Sequence, residues 1–142
     1  MRMTVIYWSA TGNTEAMAQA IAQGAKEAGA DVALLSVDAA SAEDALQADL
    51  LALGCPAMGA EELEEGEFAP FFESIEGSLA GKKLALFGSY DWGDGEWMRS
   101  WQQRAAAAGA NLYRGEGLIL RNTPDDEGLA ACRAFGQGFA DF

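Results

Sequence analysis

The sequence contains no histidine and only two cysteines among its 142 residues. Without histidine and without a Cys-x-x-Cys pair, the usual ligands of a zinc site and the base of a Cys-His catalytic pair are missing. Cys55 and Cys132 lie far apart in the chain, which favours two reduced, partly buried thiols. No apolar run approaches the roughly 20 residues of a membrane span, and because Met1-Arg2-Met3-Thr4 enters a predicted strand directly, we expect no signal peptide. We therefore expect a cytoplasmic protein that does not contact membranes.

Basic residues are also scarce, since nine Lys and Arg stand against 22 Asp and Glu, for a formal net charge of −13 at pH 7. This charge repels nucleic acid and anionic membranes, and it steers the chain toward basic partners at low ionic strength. The acidic residues concentrate in segments 61–67 and 91–96, each of which follows an apolar run. A solvated surface explains these segments as well as a docking role does.

Apolar runs alternate with helical patterns along the whole chain. The predicted strands cover residues 3–8, 32–37, 49–54, 83–89 and 112–120. The predicted helices cover residues 15–28, 42–47, 68–76, 96–108 and 125–140. This alternation indicates an α/β fold, a doubly wound five-stranded parallel sheet with helices on both faces, formed by residues 1–142 as a single domain. Ligands of such folds bind beyond the carboxyl ends of the strands, so the loops after strands one, three and four should converge.

The loop after the first strand, Ser9-Ala10-Thr11-Gly12-Asn13-Thr14, is rich in hydroxyl and amide groups and contains no Lys or Arg. At a strand-to-helix junction, the free helix N–H groups and the macrodipole attract an anion, which predicts a cradle for a phosphate monoester. The missing Lys excludes a nucleotide-hydrolysing P-loop, and the single glycine excludes the dinucleotide fingerprint. By itself the loop is equally typical of a simple helix cap.

The loops after the third and fourth strands offer groups suited to a flat ligand. Segment 54–61 combines small residues with Met58 and a carboxylate, and segment 89–95 places Trp92 among Gly and Asp residues. If they face each other, Met58 and Trp92 could sandwich a heterocycle. Met58 could instead fill a gap in the core, and Trp92 could pack under its own loop.

Four motifs together carry a resemblance to a known family: Ser9-Ala-Thr-Gly-Asn-Thr, Gly54-Cys-Pro-Ala-Met-Gly, Leu86-Phe-Gly-Ser-Tyr-Asp-Trp-Gly-Asp-Gly and Trp97-Met. Over its entire length the chain resembles short-chain flavodoxins, especially the anaerobe type whose flavin ring lies between a Met and a Trp. The resemblance implies a sheet of order 2-1-3-4-5 and one non-covalently bound flavin mononucleotide (FMN). It also implies a low-potential one-electron carrier, not an enzyme, that cycles between quinone, semiquinone and hydroquinone.

As partners of such a carrier we expect basic-surfaced redox enzymes, reductases and oxidoreductases, that dock transiently through electrostatics. The chain itself should be a monomer. In the family, the first reduction gives a neutral semiquinone and the second an anion, and an electronegative pocket disfavours the second step.

The resemblance assigns cofactor binding to Ser9, Ala10, Thr11, Gly12, Asn13, Thr14, Pro56, Ala57, Met58, Gly59, Ala60, Glu61, Ser89, Tyr90, Asp91 and Trp92. The first six residues would hold the phosphate, and Met58 and Trp92 would cover the two faces of the ring. The Glu61 carboxylate would accept from the ring N3–H, and the amide of Asp91 would meet O2. Ser89 would lie near the ribityl chain, with Asn122 as a weaker ribityl or loop-bracing candidate.

Two positions depart from the family pattern, since relatives commonly have Ser or Thr at Pro56 and Asp or Asn at Ala60. A type II turn over residues 58–61 needs positive φ at Ala60, whereas a type II′ turn needs it at Gly59. We therefore expect Ala60 to strain the turn by on the order of 1 kcal/mol. That strain would favour the flipped form of the 59–60 peptide, whose carbonyl accepts from the N5–H of the reduced ring. Because Ala60 lacks the negative charge of an Asp, the second reduction would be easier.

Two other functions fit the same topology. A flavin-dependent reductase of a quinone or another small substrate is the alternative, although the chain has no long insertion to shape a substrate site. A phosphoacceptor signalling domain needs an acidic pair after strand one and an Asp at the end of strand three. The chain has Ser9-Ala10 and Gly54-Cys55 at those positions, which argues against that function.

Overall fold

The computed structural model describes residues 1–142 and contains one six-stranded sheet. Its strands are β1 (Arg2–Tyr7), β2 (Asp31–Ser36), β3 (Leu50–Gly54), β4 (Lys83–Tyr90), β5 (Asn111–Leu112) and β6 (Leu118–Arg121). Its helices are α1 (Asn13–Glu27), α2 (Ala42–Gln47), α3 (Phe68–Glu76), α4 (Glu96–Ala107) and α5 (Asp126–Ala140). None of these helices has both the length and the apolar character that crossing a bilayer requires.

All strand pairs are parallel, and the strand order is β2-β1-β3-β4-β5, with β6 also paired to β4. The predicted parallel sheet of order 2-1-3-4-5 is therefore confirmed. The order reverses direction between β1 and β3, which is the switch point where open α/β sheets place their ligands.

The fifth strand differs from the prediction of one continuous strand over residues 112–120. The structure splits it into β5, beside the start of β4, and β6, beside its end. Between them, Arg114 and Gly115 have φ values of 62° and 71°, which no β-strand accommodates. A Cβ at Gly117 would also overlap the Met98 side chain, so this segment passes close to α4. The prediction of one continuous strand is therefore wrong. Both halves are apolar and look like a single strand in the sequence, whereas the break depends on backbone angles.

The sheet is covered on both faces. Helices α2, α3 and α4 contribute Ala45, Phe72 and Trp101 to one core, and helices α1 and α5 contribute Met17 and Phe135 to the other. All five residues of β3 are buried, which is why its sequence is continuously apolar.

The carboxyl ends of β1, β3 and β4 lie side by side at one edge of the sheet, where Tyr7 pairs with Gly54 and Gly54 with Phe87. Backbone hydrogen bonds continue beyond the strands, from the Cys55 N–H to the Phe87 carbonyl at 3.1 Å and from the Ala57 N–H to the Ser89 carbonyl at 3.0 Å. The three loops predicted to converge therefore leave the sheet together.

Candidate functional site

A cleft of about 240 Å³ lies between these three loops. Fourteen of the sixteen predicted site residues line it; the exceptions are Gly12 and Ala60. The cleft also includes Trp8, which the sequence analysis placed at the end of the first strand. The one signal in the sequence that Trp8 belongs to the cleft is its position directly before the hydroxyl-rich loop. The Trp8 indole N–H donates to Glu67 Oε1 at 3.2 Å and so joins the loop after β1 to the loop after β3.

The first loop leaves the N-terminus of α1 open. Gly12 occupies the N-cap position with a φ of 94°, a conformation that favours glycine, and no side chain caps the helix. The Gly12 N–H donates to Ser9 Oγ at 3.1 Å within the loop. The other five backbone N–H groups of the loop have no acceptor in the chain, namely those of Ser9, Ala10, Thr11, Asn13 and Thr14. The helix-cap alternative does not describe this loop, whose free donors suit an anion.

One hydroxyl of this loop is already engaged. Thr14 Oγ1 and Ser89 Oγ lie 2.8 Å apart, and both residues are buried. The pair connects the start of α1 to the end of β4 across the floor of the cleft. Burial of a hydroxyl without a partner is costly, so each group stabilises the position of the other.

The turn after β3 has a different geometry from either predicted form. The Glu61 N–H donates to the Met58 carbonyl at 2.8 Å, and the Met58 N–H donates to the Glu62 carbonyl at 3.0 Å. Positive φ occurs at Glu61, with a value of 55°, and at neither Gly59 nor Ala60. A hydrogen-bonded turn with trans peptides and negative φ at both central residues is type I, and a left-handed residue after it forms a G1 bulge.

The predictions of a type II or II′ turn and of strain at Ala60 are therefore wrong for this conformation. Alanine adopts negative φ without difficulty, so Ala60 adds no strain here. The unfavourable backbone angle falls on Glu61 instead, whose carboxylate accepts from the Trp97 N–H at the start of α4.

The Glu61 carboxylate has one satisfied oxygen and one free oxygen. Its Oε2 accepts from the Trp97 N–H at 3.0 Å, in the first turn of α4. Its Oε1 is buried and has no hydrogen-bond donor. A Cβ at Gly93 would overlap Oε1, so only glycine leaves room for the carboxylate there. A buried, unpaired carboxylate oxygen at the wall of a cleft fits a donor on a ligand.

The loop after β4 presents the Trp92 indole and a free backbone N–H to the end of the cleft where Glu61 lies. Trp92 is 62% exposed, which overturns the alternative that it packs under its own loop. The Tyr90 carbonyl accepts from the Asn122 N–H at 2.7 Å. Because C=O and N–H point in opposite directions across a trans peptide, the Asp91 N–H points away from Asn122, and it has no acceptor in the chain. Asn122 therefore braces the loop through its backbone.

Cys55 lies behind the cleft and takes no part in its chemistry. Burial raises the pKa of its thiol to about 12, and the thiol therefore stays protonated at neutral pH. Desolvation likewise raises the pKa of Cys132 to about 12. Both cysteines are free and buried, which excludes a thiolate nucleophile at this site.

Comparisons with known proteins agree with the fold. A family model described as flavodoxin matches residues 5–136. The chain is 48% identical to the flavodoxin of Clostridium beijerinckii over 139 residues, covering 98% of this chain and 99% of the relative. It is 44% identical to the flavodoxin of Megasphaera elsdenii over 136 residues, covering 96% of each. The solution structure of two-electron reduced Megasphaera elsdenii flavodoxin matches with a TM-score of 0.89 at 43% identity, over 99% of both chains.

The free N–H groups of the first loop, the unpaired Glu61 oxygen and the exposed Trp92 indole form a cleft suited to an anionic, planar ligand. Flavodoxins are electron-transfer proteins and not enzymes, so the flavin-dependent reductase alternative is not favoured. Taken with the matches over nearly the whole length, this arrangement establishes that the chain belongs to the flavodoxin family, the electron carriers that use FMN as cofactor.

Proposed function

We propose that residues 1–142 form a single FMN-binding domain whose cleft holds the cofactor across the carboxyl ends of β1, β3 and β4, in a low-potential one-electron carrier. The observation that carries this proposal is the buried Glu61 Oε1, which has no donor in the chain. Bound FMN supplies the one-electron redox chemistry, while the protein contributes binding, orientation and charge.

The phosphate of FMN would occupy the open N-terminus of α1. Five backbone N–H groups without acceptors and the positive end of the helix dipole favour a doubly charged anion there. Gly12, with a φ of 94° at the N-cap position, turns the chain into the helix. Since the loop carries no Lys or Arg, it holds the phosphate without stabilising its transfer.

The ring would lie at the other end of the cleft, between the Met58 thioether and the Trp92 indole. Its pyrimidine edge carries an N–H donor and a carbonyl acceptor. Glu61 Oε1 is the free acceptor for that N–H, and the Asp91 N–H is the free donor for that carbonyl. One acceptor and one donor at neighbouring positions orient the ring and reject a ligand with the reverse pattern.

The charges around the ring end would keep the reduction potential low. Exposed carboxylates flank it on both loops, including Glu62, Glu65 and Asp91. The Glu65 carboxylate accepts a hydrogen bond from the protonated Glu62 carboxyl, and this bond together with the negative charge of Glu65 raises the pKa of Glu62. Negative surroundings disfavour a step that adds negative charge to the cofactor.

The same acidic surface supports a partner class. In the cytoplasm, the protein as a monomer would dock transiently on basic-surfaced reductases and oxidoreductases and exchange single electrons with them. Three acids are held in salt bridges, Asp94 and Glu96 with Arg99 and Glu76 with Arg104. The other acids form no salt bridge and can meet a basic surface. Long-range attraction of this kind raises association rates and is screened by salt.

The test follows electron delivery from the reduced holoprotein to a basic one-electron acceptor at low and high ionic strength. We expect the bimolecular rate to fall at least about tenfold between roughly 0.01 and 0.5 M salt, because screening shortens the reach of the acidic surface. Pyridine nucleotide alone should not be oxidised. Rapid oxidation of that nucleotide would support a reductase instead, and a salt-independent rate would remove the docking role of the acidic surface.

A further inference from the structure

Arg121 lies over the loop that carries Trp92, and we propose that it positions this loop and tunes the potential of the bound FMN. From the last position of β6, its Nη1 donates to the Asp91 carbonyl at 2.9 Å and its Nη2 to the Gly93 carbonyl at 3.3 Å. The guanidinium carbon lies 4.6 Å from the centroid of the Tyr90 ring. One side chain thus holds the backbone on both sides of Trp92.

The loop has few other restraints. None of the backbone N–H groups of residues 91–94 donates to an acceptor in the chain. Apart from Arg121, the only side chain that holds a carbonyl of this stretch is Arg99, which donates to Asp94 at 2.9 Å. Without Arg121, the carbonyls of Asp91 and Gly93 would turn to water and the loop would sample more conformations. Ordering it again would then weaken FMN binding.

The charge of Arg121 is uncompensated, unlike that of the neighbouring arginine. Arg99 forms salt bridges with Asp94 at 2.9 Å and Glu96 at 2.7 Å, whereas Arg121 forms none. Both hydrogen bonds that the Arg121 side chain donates go to backbone carbonyls. A free positive charge directly behind Asp91 and Trp92 favours the reduction step that adds negative charge to the site, against the effect of the surrounding carboxylates.

Three variants separate position from charge. Arg121→Gln removes both the planar fork and the charge, while Arg121→Lys keeps the charge without the fork or the flat face over Tyr90. Arg114→Gln is the matched control, because it also removes one positive charge from an arginine stacked on aromatic rings, 5.2 Å from Tyr113 and 5.3 Å from Phe135. Arg114 lies beyond β5, which pairs with the end of β4 remote from the cleft.

The positioning role is measured without cofactor, so that it is independent of the proposed function on which this inference rests. In the FMN-free protein, the NMR order parameters of the Trp92 and Gly93 amides should fall to about 0.6 or lower in Arg121→Gln and in Arg121→Lys. They should stay at about 0.85 in the parent and in Arg114→Gln. A loop as rigid in Arg121→Gln as in the parent would overturn the positioning role.

The tuning role is measured in the holoprotein. In Arg121→Gln we expect FMN to bind roughly fivefold more weakly. The second electron should be taken up about threefold less favourably, which corresponds to about 28 mV for a one-electron step. Arg121→Lys should retain the parent's second potential.

Equal second potentials in Arg121→Gln and Arg114→Gln, or a drop in Arg121→Lys as large as in Arg121→Gln, would overturn the tuning role. Failure of the parent to bind FMN would contradict the proposed function and not the loop measurement.

Discussion

Glu61→Gln is expected to weaken FMN binding by roughly ten- to a hundredfold, equivalent to about 1.5–3 kcal/mol for a hydrogen bond to a charged group. The carboxylate accepts from the Trp97 N–H through Oε2, and its buried Oε1, which has no donor in the chain, is the oxygen that we propose accepts from the ligand. A glutamine amide has one oxygen and one NH₂ group. Whichever way it is oriented, the NH₂ group meets either the Trp97 N–H or the ring N–H, so that one donor always faces another.

Glu62→Gln is the matched control for this variant. It removes the same charge one residue away, and the Glu62 side chain is exposed while its backbone carbonyl still accepts from the Met58 N–H. The FMN dissociation constant, measured by fluorescence titration of both variants and the parent, separates the contact from the charge. Equal affinity in Glu61→Gln and Glu62→Gln would show that Oε1 does not meet the ligand.

Trp92→Ala is expected to weaken FMN binding by about 2 kcal/mol, or roughly thirtyfold, which is typical of losing one aromatic platform under a planar base. The stability of the FMN-free protein should hardly change. The indole is 62% exposed and belongs to neither core, so its removal takes little apolar area from the folded state. Substitutions at such sites usually change the free energy of unfolding by less than about 0.5 kcal/mol.

Trp92→Phe keeps an aromatic face at the same position and should recover most of the lost affinity. The measurement pairs an FMN titration with urea unfolding of the FMN-free proteins. An unchanged dissociation constant in Trp92→Ala would remove this residue from the ring site. A large loss of stability would instead assign it a structural role.

The parallel sheet could be predicted because its central strands are buried on both faces. The run Leu50–Gly54 is continuously apolar for that reason. The helices between the strands supply the crossover connections that parallel strands require. The first loop of the cleft could be predicted equally well, since a hydroxyl-rich junction between strand and helix is a local pattern. Convergence of the three loops then followed from the parallel fold, whose ligands bind beyond the carboxyl ends of the strands.

Other features depend on backbone angles or on distant contacts. The break in the fifth strand occurs where Arg114 and Gly115 adopt positive φ, and residue type did not reveal it. The turn after β3 places its positive φ at Glu61, an unfavourable angle that contacts to Trp97 hold in place. Arg121 contacts the loop around Trp92 across 28 to 30 positions, so no local pattern pointed to it. Tertiary contacts decided each of these cases.

The central claim is that the cleft binds FMN with its phosphate at the open N-terminus of α1. Titration of the FMN-free protein with FMN and, separately, with riboflavin tests it directly, because riboflavin carries the same ring without the phosphate. We predict one FMN per chain and at least about a hundredfold weaker riboflavin binding, since several free N–H groups each contribute to holding a charged phosphate. Equal affinity for the two flavins, or no binding of FMN, would contradict it.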